Sequence, residues 1–386
     1  MQPLKNKENQ IVSNTPFIDL TTQLNSIRSN VNSSIKKVLD HGIFIMGPEV
    51  FELEKQLSEF CGAKHTISCA NGTDALILAL MAKNIQNKDA VFVPSFTFAA
   101  TAEVVALVGA TPIFIDSLED TFNINPKSLE QGIENAKKNG LNPVGIIPVD
   151  LFGQPADYDE IVKIAGAYNL WMISDAAQSF GAVYKGKKIG TFGDITTTSF
   201  FPAKPLGCYG DGGAIFTDND DLAEIMKSLR IHGQGKDKYD NIRIGINGRL
   251  DTIQAAILLE KLKIFEWELL KREEIAKKYN SALNNKVIHQ KILKNVTSTY
   301  AQYTVCLSPF IDRDKLISIL NDYNIPSVIY YKKPLHLQSA YKHFPTATMG
   351  SLPICEHLSE KVLSFPMSAY VKDETIGIIA DVFNRF

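Results

Sequence analysis

Between residues 65 and 177 the chain alternates short β-rich runs with stretches of helical period. The runs "HTISCA" (65–70), "AVFVPS" (90–95), "TPIFID" (111–116), "GIIPVD" (145–150) and "LWMISDAA" (170–177) each end in a small or acidic residue. The stretches between them, such as "TDALILALMAK" and "DYDEIVKIAGAY", place apolar residues at i, i+3 and i+4. Such alternation predicts an α/β fold with a mostly parallel sheet covered by helices on both faces. Ligands of these sheets bind at the carboxyl ends of the strands. After residue 194 the pattern changes. "DITTTSFF" (194–201) and "GAIFT" (213–217) read as two strands joined only by a Gly-rich loop, and residues 251–283 read as one long amphipathic helix leaving the domain. Beyond about residue 285 a strand in "STYAQYTVCL" (298–307), a helix near 313–323 and a last helix from about Asp373 predict a smaller α+β unit. Residues 1–15 read as a loose tail.

Composition narrows the function classes. The 386 residues, 45% hydrophobic, are enough for one large and one small core. A net charge of −2, from 40 basic and 42 acidic residues, gives no electrostatic basis for a nucleic-acid or anionic-membrane partner. The polar start "MQPLKNKENQIVSNTPF" lacks the apolar core of a secretion signal. No apolar run approaches the ~20 residues of a membrane span. Five cysteines, odd in number and never spaced CxxC, predict reduced thiols and a cytoplasmic protein. The seven histidines are scattered without metal-ligand spacing, so no metal site is expected, and His232 and His336 are expected at the surface or at the rim of a substrate site. No GxGxxG follows a strand and no GxxxxGK[ST] occurs, which leaves neither a dinucleotide site nor a P-loop.

Lys204 carries the sharpest chemical signal. In "SFFPAKPLGCYGDGGAIF" (199–216) it stands among aromatic, small and apolar residues, with no acid before Asp211. A lysine that loses its hydration has a lowered pKa and becomes a nucleophile for carbonyl carbon. A snorkelling lysine on an edge strand is the plain alternative. Pro205 biases Lys204 toward an extended conformation, and Gly207, Gly210, Gly212 and Gly213 allow a close backbone approach. Ser199 could point its hydroxyl at the same place.

The other candidates sit at predicted strand ends. Gly72 and Thr73 open a helix after the first strand and would offer N–H groups and a hydroxyl to a phosphate. Thr73 or Asp74 could equally be an ordinary helix cap. Asp175 closes an apolar strand, with Gln178 three residues on; it either faces a ligand or caps the next turn of the chain. Phe98 is available to stack on a ring or to fill the core. Together these residues ask for a ligand with a phosphate, a basic ring nitrogen and an aldehyde, which is pyridoxal 5′-phosphate (PLP).

With these residues in place, the sequence resembles the DegT/StrS-type PLP-dependent nucleotide-sugar aminotransferases, from about Phe17 to the C-terminus. The motifs are "FIMGPEVFELE", "CANGTDAL", "PSFTFAATAE", "DAAQSFGA", the Lys204 segment, "GINGRLDTIQAAIL" and "LSFPM". The resemblance implies fold-type I architecture, with a tail (1–16), a large PLP-binding domain around a mostly parallel seven-stranded sheet (17–265) and a small α+β domain (266–386). It further implies that Lys204 carries PLP and acts as base and acid, and that Asp175 holds the pyridine nitrogen. Gly72, Thr73, Gln178 and Ser199 would surround the ring and phosphate. Asn247 would reach the phosphate of the neighbouring subunit in a homodimer with shared sites. L-glutamate and 2-oxoglutarate are the implied donor pair, with pyridoxamine phosphate (PMP) between half-reactions. Within the family, the Lys204 segment and "RLDTIQAAIL" look most like the branch aminating C3 of UDP-2-acetamido-2-deoxy-3-oxo-glucuronate in surface-polysaccharide (O-antigen) biosynthesis. An enzyme acting at C4, or on a 3-oxo-6-deoxy sugar, would share the same cofactor residues. Several relatives in that branch carry His-Tyr-Pro where this chain has Tyr330, Tyr331 and Lys332, a segment expected at the sugar. Arg249 is a candidate for a substrate carboxylate, or else a helix-start ion pair with Asp251.

Overall fold

All seven β-rich runs between 65 and 217 enter one sheet in the computed structural model, which describes residues 15–386 apart from 238, 284, 285 and 349. Its strands are β1 (His65–Cys69), β2 (Asp89–Pro94), β3 (Thr111–Ile115), β4 (Asn142–Ile146) and β5 (Trp171–Asp175). After a hairpin of β6 (Val183–Tyr184) and β7 (Lys187–Lys188) come β8 (Ile195–Ser199) and β9 (Gly213–Thr217). The order is β1-β9-β8-β5-β4-β2-β3. All neighbours are parallel except β9, which runs antiparallel to both β1 and β8 because no crossover helix separates it from β8.

Two helices that the alternating pattern does not reach, α1 (Leu20–His41) and α2 (Pro48–Cys61), precede the sheet. Between the strands lie α3 (Gly72–Ala82), α4 (Ala100–Leu107), α5 (Pro126–Lys138) and α6 (Tyr158–Tyr168), and α7 (Asp220–Leu229) follows β9. The apolar run of α3 is explained by burial: Ala75, Leu76, Leu78, Ala79 and Leu80 all lie in the central core with Phe92, Ile113, Ile173 and Ile215. The long helix α8 (Thr252–Ala282) gives Leu258 and Phe265 to a cluster under α2, and Ile275, Ala276 and Tyr279 to a separate C-terminal core. That second core is closed by the antiparallel strands β10 (Val287–His289), β11 (Tyr303–Leu307) and β12 (Val362–Phe365). Helices α9 (Arg313–Asp322) and α11 (Asp373–Phe383) cover it, while α10 (Pro353–Lys361) gives Cys355 and Leu358 to the central core.

Some boundaries differ from the sequence expectation. The strand expected over 145–150 lies at Asn142–Ile146, because Pro148 has no N–H for the ladder. Its carbonyl still accepts the Asp175 N–H at 2.9 Å. Residues 298–302 precede β11 rather than join it, and the Thr299 N–H donates to Gly153 O. The segment 335–347 returns to the large sheet, where Leu335 N–H meets Ser95 O and Phe114 exchanges bonds with Pro345 and Ala347. The expected tail lies, up to residue 14, outside the described residues. All five cysteines are free and buried. Among the described residues no helix is long and apolar enough to cross a membrane.

Candidate active site

Asp175 ends the central strand β5 and is only 6% exposed. Its carboxylate accepts the Thr101 hydroxyl (3.0 Å), brought by α4, and the Ala177 N–H (3.2 Å). Burial pushes the carboxyl up from its ordinary range, while the Ala177 N–H, the Lys204 ammonium and the Thr101 hydroxyl hold it down. Thr101 escapes a sequence reading because nothing in "FAATAE" marks which threonine faces a strand end.

Lys204 follows β8. Its N–H closes a turn on Phe201 O at 2.8 Å, and Phe200 ties the loop to Gly212 O and the Cys208 N–H. A Cβ on Gly207 would lie 2.5 Å from the carbonyl oxygens of Phe201 and Pro202, so this turn requires glycine. The Lys204 side chain is partly buried, and among the described residues its amine has neither a hydrogen bond nor an ion pair. Burial lowers its pKa, and Asp175 opposes that shift. An amine in the field of a buried acid, yet unpaired, is not a snorkelling surface lysine.

The start of α3 forms an anion cradle. Asn71 is the cap, rather than Thr73 or Asp74, since its Oδ1 accepts the Asp74 N–H (2.8 Å) and its carbonyl the Ala75 N–H. The Gly72 and Thr73 N–H groups and the Thr73 hydroxyl have no partner among the described residues. A Cβ on Gly72 would lie 2.6 Å from Ser199 Cβ, which shows how closely the helix end approaches the end of β8. Ser199 Oγ accepts the Phe201 N–H at 3.2 Å.

Gln178 is buried between Phe152, whose N–H its Oε1 accepts (2.7 Å), and Tyr331, to whose hydroxyl it donates (3.4 Å). Tyr331 lies edge-on to Phe96 and within the field of Asp175; Tyr330 packs on Tyr331 and on Phe17. Phe98 is 59% exposed, so it is not a core residue. Asn247, exposed, and Arg249 line a cavity of about 480 Å³ with Ile45, Asn71, Gly210 and Gln254. Arg249 makes no ion pair with Asp251 among the described residues, and its Nε is buried without a partner. His336, expected at the surface or rim, is instead buried, because "PLH" passes beneath the end of β2. Its ring nitrogens lie 2.7 Å from the Ser95 hydroxyl and 3.3 Å from Glu356.

These groups match PLP: an unpaired amine for an aldehyde, a buried acid for a ring nitrogen, and unpartnered helix N–H groups for a phosphate. Residues 25–384 match the model of the DegT/DnrJ/EryC1/StrS aminotransferase family. The chain is 45% identical over 364 residues (94% of this chain, 98% of the relative) to the UDP-2-acetamido-2-deoxy-3-oxo-D-glucuronate aminotransferase of Pseudomonas aeruginosa. A DegT DnrJ EryC1 StrS aminotransferase from Brucella abortus superposes with a TM-score of 0.93 at 50% identity, covering 96% of this chain and 99% of that one. NtdA from Bacillus subtilis, solved with bound cofactor PMP, gives 0.85 at 28% identity, covering 99% and 86%. By sequence, fold and site together, the chain belongs to the DegT/DnrJ/EryC1/StrS family and is a PLP-dependent aminotransferase of fold-type I architecture.

Proposed function

We propose that the enzyme transfers the amino group of L-glutamate to C3 of UDP-2-acetamido-2-deoxy-3-oxo-glucuronate, as a cytoplasmic homodimer supplying sugars for surface polysaccharide. The chemistry rests on one observation, the unpaired Lys204 amine in the field of buried Asp175. The substrate rests on likeness to the Pseudomonas enzyme. In this reading residues 17–265 carry the cofactor and 266–386 form the small domain beside it.

Bound PLP supplies an aldehyde that takes up the donor amine and a ring that accepts the electrons left when the Cα proton departs. Asp175 holds a proton at the ring nitrogen; a carboxylate raised by burial gains most from such a cationic partner. Lys204, its amine below the ordinary lysine range, removes the proton from Cα and delivers it to the cofactor's carbon. The Gly72 and Thr73 N–H groups and Ser199 would hold the phosphate, and Phe98 and Gln178 would hold the ring. Arg249, Tyr330 and Tyr331 face the sugar.

A second copy completes the site through Asn247, which reaches the neighbour's phosphate. Ile43, Phe44 and Ile45 are exposed apolar groups, and Ile45 lines the same cavity as Asn247, which is surface that a partner would cover. Mixed Lys204→Ala and Asn247→Ala subunits are therefore expected to regain activity, since each heterodimer has one site free of both lesions. Unchanged activity after demonstrated subunit exchange rejects the shared site.

The substrate is tested in reverse, by glutamate formation from 2-oxoglutarate. UDP-2-acetamido-3-amino-2,3-dideoxy-glucuronate should outpace a 4-amino-4,6-dideoxy sugar. Each charge-assisted bond to the carboxylate is worth about 1.5–3 kcal/mol, or roughly one to two decades in kcat/KM. Preference for the 4-amino sugar overturns the regiochemistry, and equal rates with a 6-deoxy 3-amino sugar remove the hexuronate.

A further inference from the structure

A second acid, Asp150, lies fully buried behind Asp175, and the mechanism above leaves it unused. Its N–H donates to Asp175 O at 3.1 Å, while the Asp175 N–H donates to Pro148 O, so the two segments are stitched at the end of β5. Its Oδ1 accepts the Ala156 N–H and the Tyr158 hydroxyl, both at 2.8 Å, and its Oδ2 accepts the Ser179 hydroxyl at 2.5 Å. Because the Tyr158 proton goes to Asp150, the short contact between Tyr158 and Ser174 is a bond donated by Ser174. Asp150 thus grips residues 174–179 at both ends, through Tyr158 at Ser174 and directly at Ser179. Between those two serines lie Asp175 and Gln178.

The turn after Asp150 is built for the same purpose. Phe152 adopts a left-handed conformation (φ 61°, ψ 7°), disfavoured for a bulky residue, and thereby presents its N–H to Gln178 Oε1. Gly153 comes next, where a Cβ would meet Thr299 Oγ1 at 2.3 Å. Thr299 in turn donates its hydroxyl to Gln178 O at 2.5 Å.

We infer that Asp150 is a positioning residue for the cofactor side of the site: its hydrogen bonds set Asp175 and Gln178, and its negative charge behind Asp175 favours a proton on the ring nitrogen. This rests on Asp175 and Gln178 facing the cofactor, as proposed above. A carboxylate that served only folding would have no need to converge on the two residues flanking that pair. The charged and titratable groups facing Asp150 are Tyr158 from α6 and Asp175 from β5, with Lys204 acting on Asp175 from beyond. Burial pushes the Asp150 carboxyl up to about 7, against the bonds from Ser179, Ala156 and Tyr158. Its charge is present above that pH and lost below it.

The test is a pH titration of the visible absorbance of the holoenzyme, with kcat, KM for L-glutamate and Tm, in wild type and Asp150→Asn. An amide at 150 can still accept from Ala156 and Tyr158 and donate to Ser179, so the change removes mainly the charge. The expected result is full cofactor occupancy, a Tm close to wild type, a displaced spectral midpoint, and a kcat lower by about 10–100-fold with KM little changed. A wild-type midpoint and kcat overturn the inference. So does a loss of kcat that tracks a lowered Tm with the midpoint unmoved. Should Asp150→Asn fail to fold, Ser179→Ala takes its place, with a smaller shift of the midpoint expected and an unmoved one overturning the inference. Asp175→Asn separates two failures. If it is inactive while Asp150→Asn is silent, Asp150 loses its role and the site reading stands. If both are silent, the site reading falls first.

Discussion

Lys204→Ala is expected to transfer no amino group at a measurable rate, a loss of at least about 10⁴-fold, because in the proposed mechanism one side chain both holds the cofactor and moves the proton. The protein should still fold, since the Lys204 side chain makes no hydrogen bond among the described residues and the turn around it is tied by backbone groups. Cofactor should remain bound through the α3 cradle, now removable by dialysis. Borohydride reduction of the wild-type holoenzyme and subsequent peptide mapping should place the label on Lys204. A label on Lys185, in the turn between β6 and β7, or on Lys187, at the start of β7, would overturn the assignment, as would residual turnover near wild type.

Asp175→Asn should keep PLP and lose roughly two to four decades of kcat. The amide oxygen can still accept the Ala177 N–H, and the NH2 that replaces the other oxygen can donate to the Thr101 hydroxyl, so the geometry survives with one bond reversed. An amide cannot hold a proton on the ring nitrogen, and without that proton the ring is a poor electron sink. The absorbance of the bound cofactor and the single-turnover rate with L-glutamate measure the two effects separately. Near-normal single turnover would mean that another acid serves the ring.

Local chemistry in the sequence was enough to nominate Lys204 as a candidate, and it offered Asp175 as either a ligand-facing acid or a cap. An isolated lysine before proline in an apolar stretch, and an acid at the end of an apolar strand, are both features visible within a few residues. The sheet was legible for the same reason, since short β-rich runs and period-3.6 patterns are local. The contacts that escaped are held together across the chain. Thr101 meets Asp175 from 74 positions away, Asp150 meets Ser179 from 29, and His336 meets Ser95 from 241. None of these residues has an unusual neighbourhood in sequence. Asp150 reads as one more acid closing a strand, and only the fold reveals that its partners flank Asp175. The return of 335–347 to the edge of β3 was hidden similarly, because a single bridge between Phe114 and Thr346 leaves no periodic trace.

The close approach of Gly72 to Ser199 also bears on how such a protein can change over generations. Every single-nucleotide neighbour of a glycine codon that encodes another residue adds at least one carbon, and at this position that carbon would collide with the end of β8. Drift here is therefore closed at its first step, whereas the exposed loop around Lys332 and Lys333 has no such barrier. Lineages on this scaffold can vary that loop freely while the junction of α3 and β8 stays fixed.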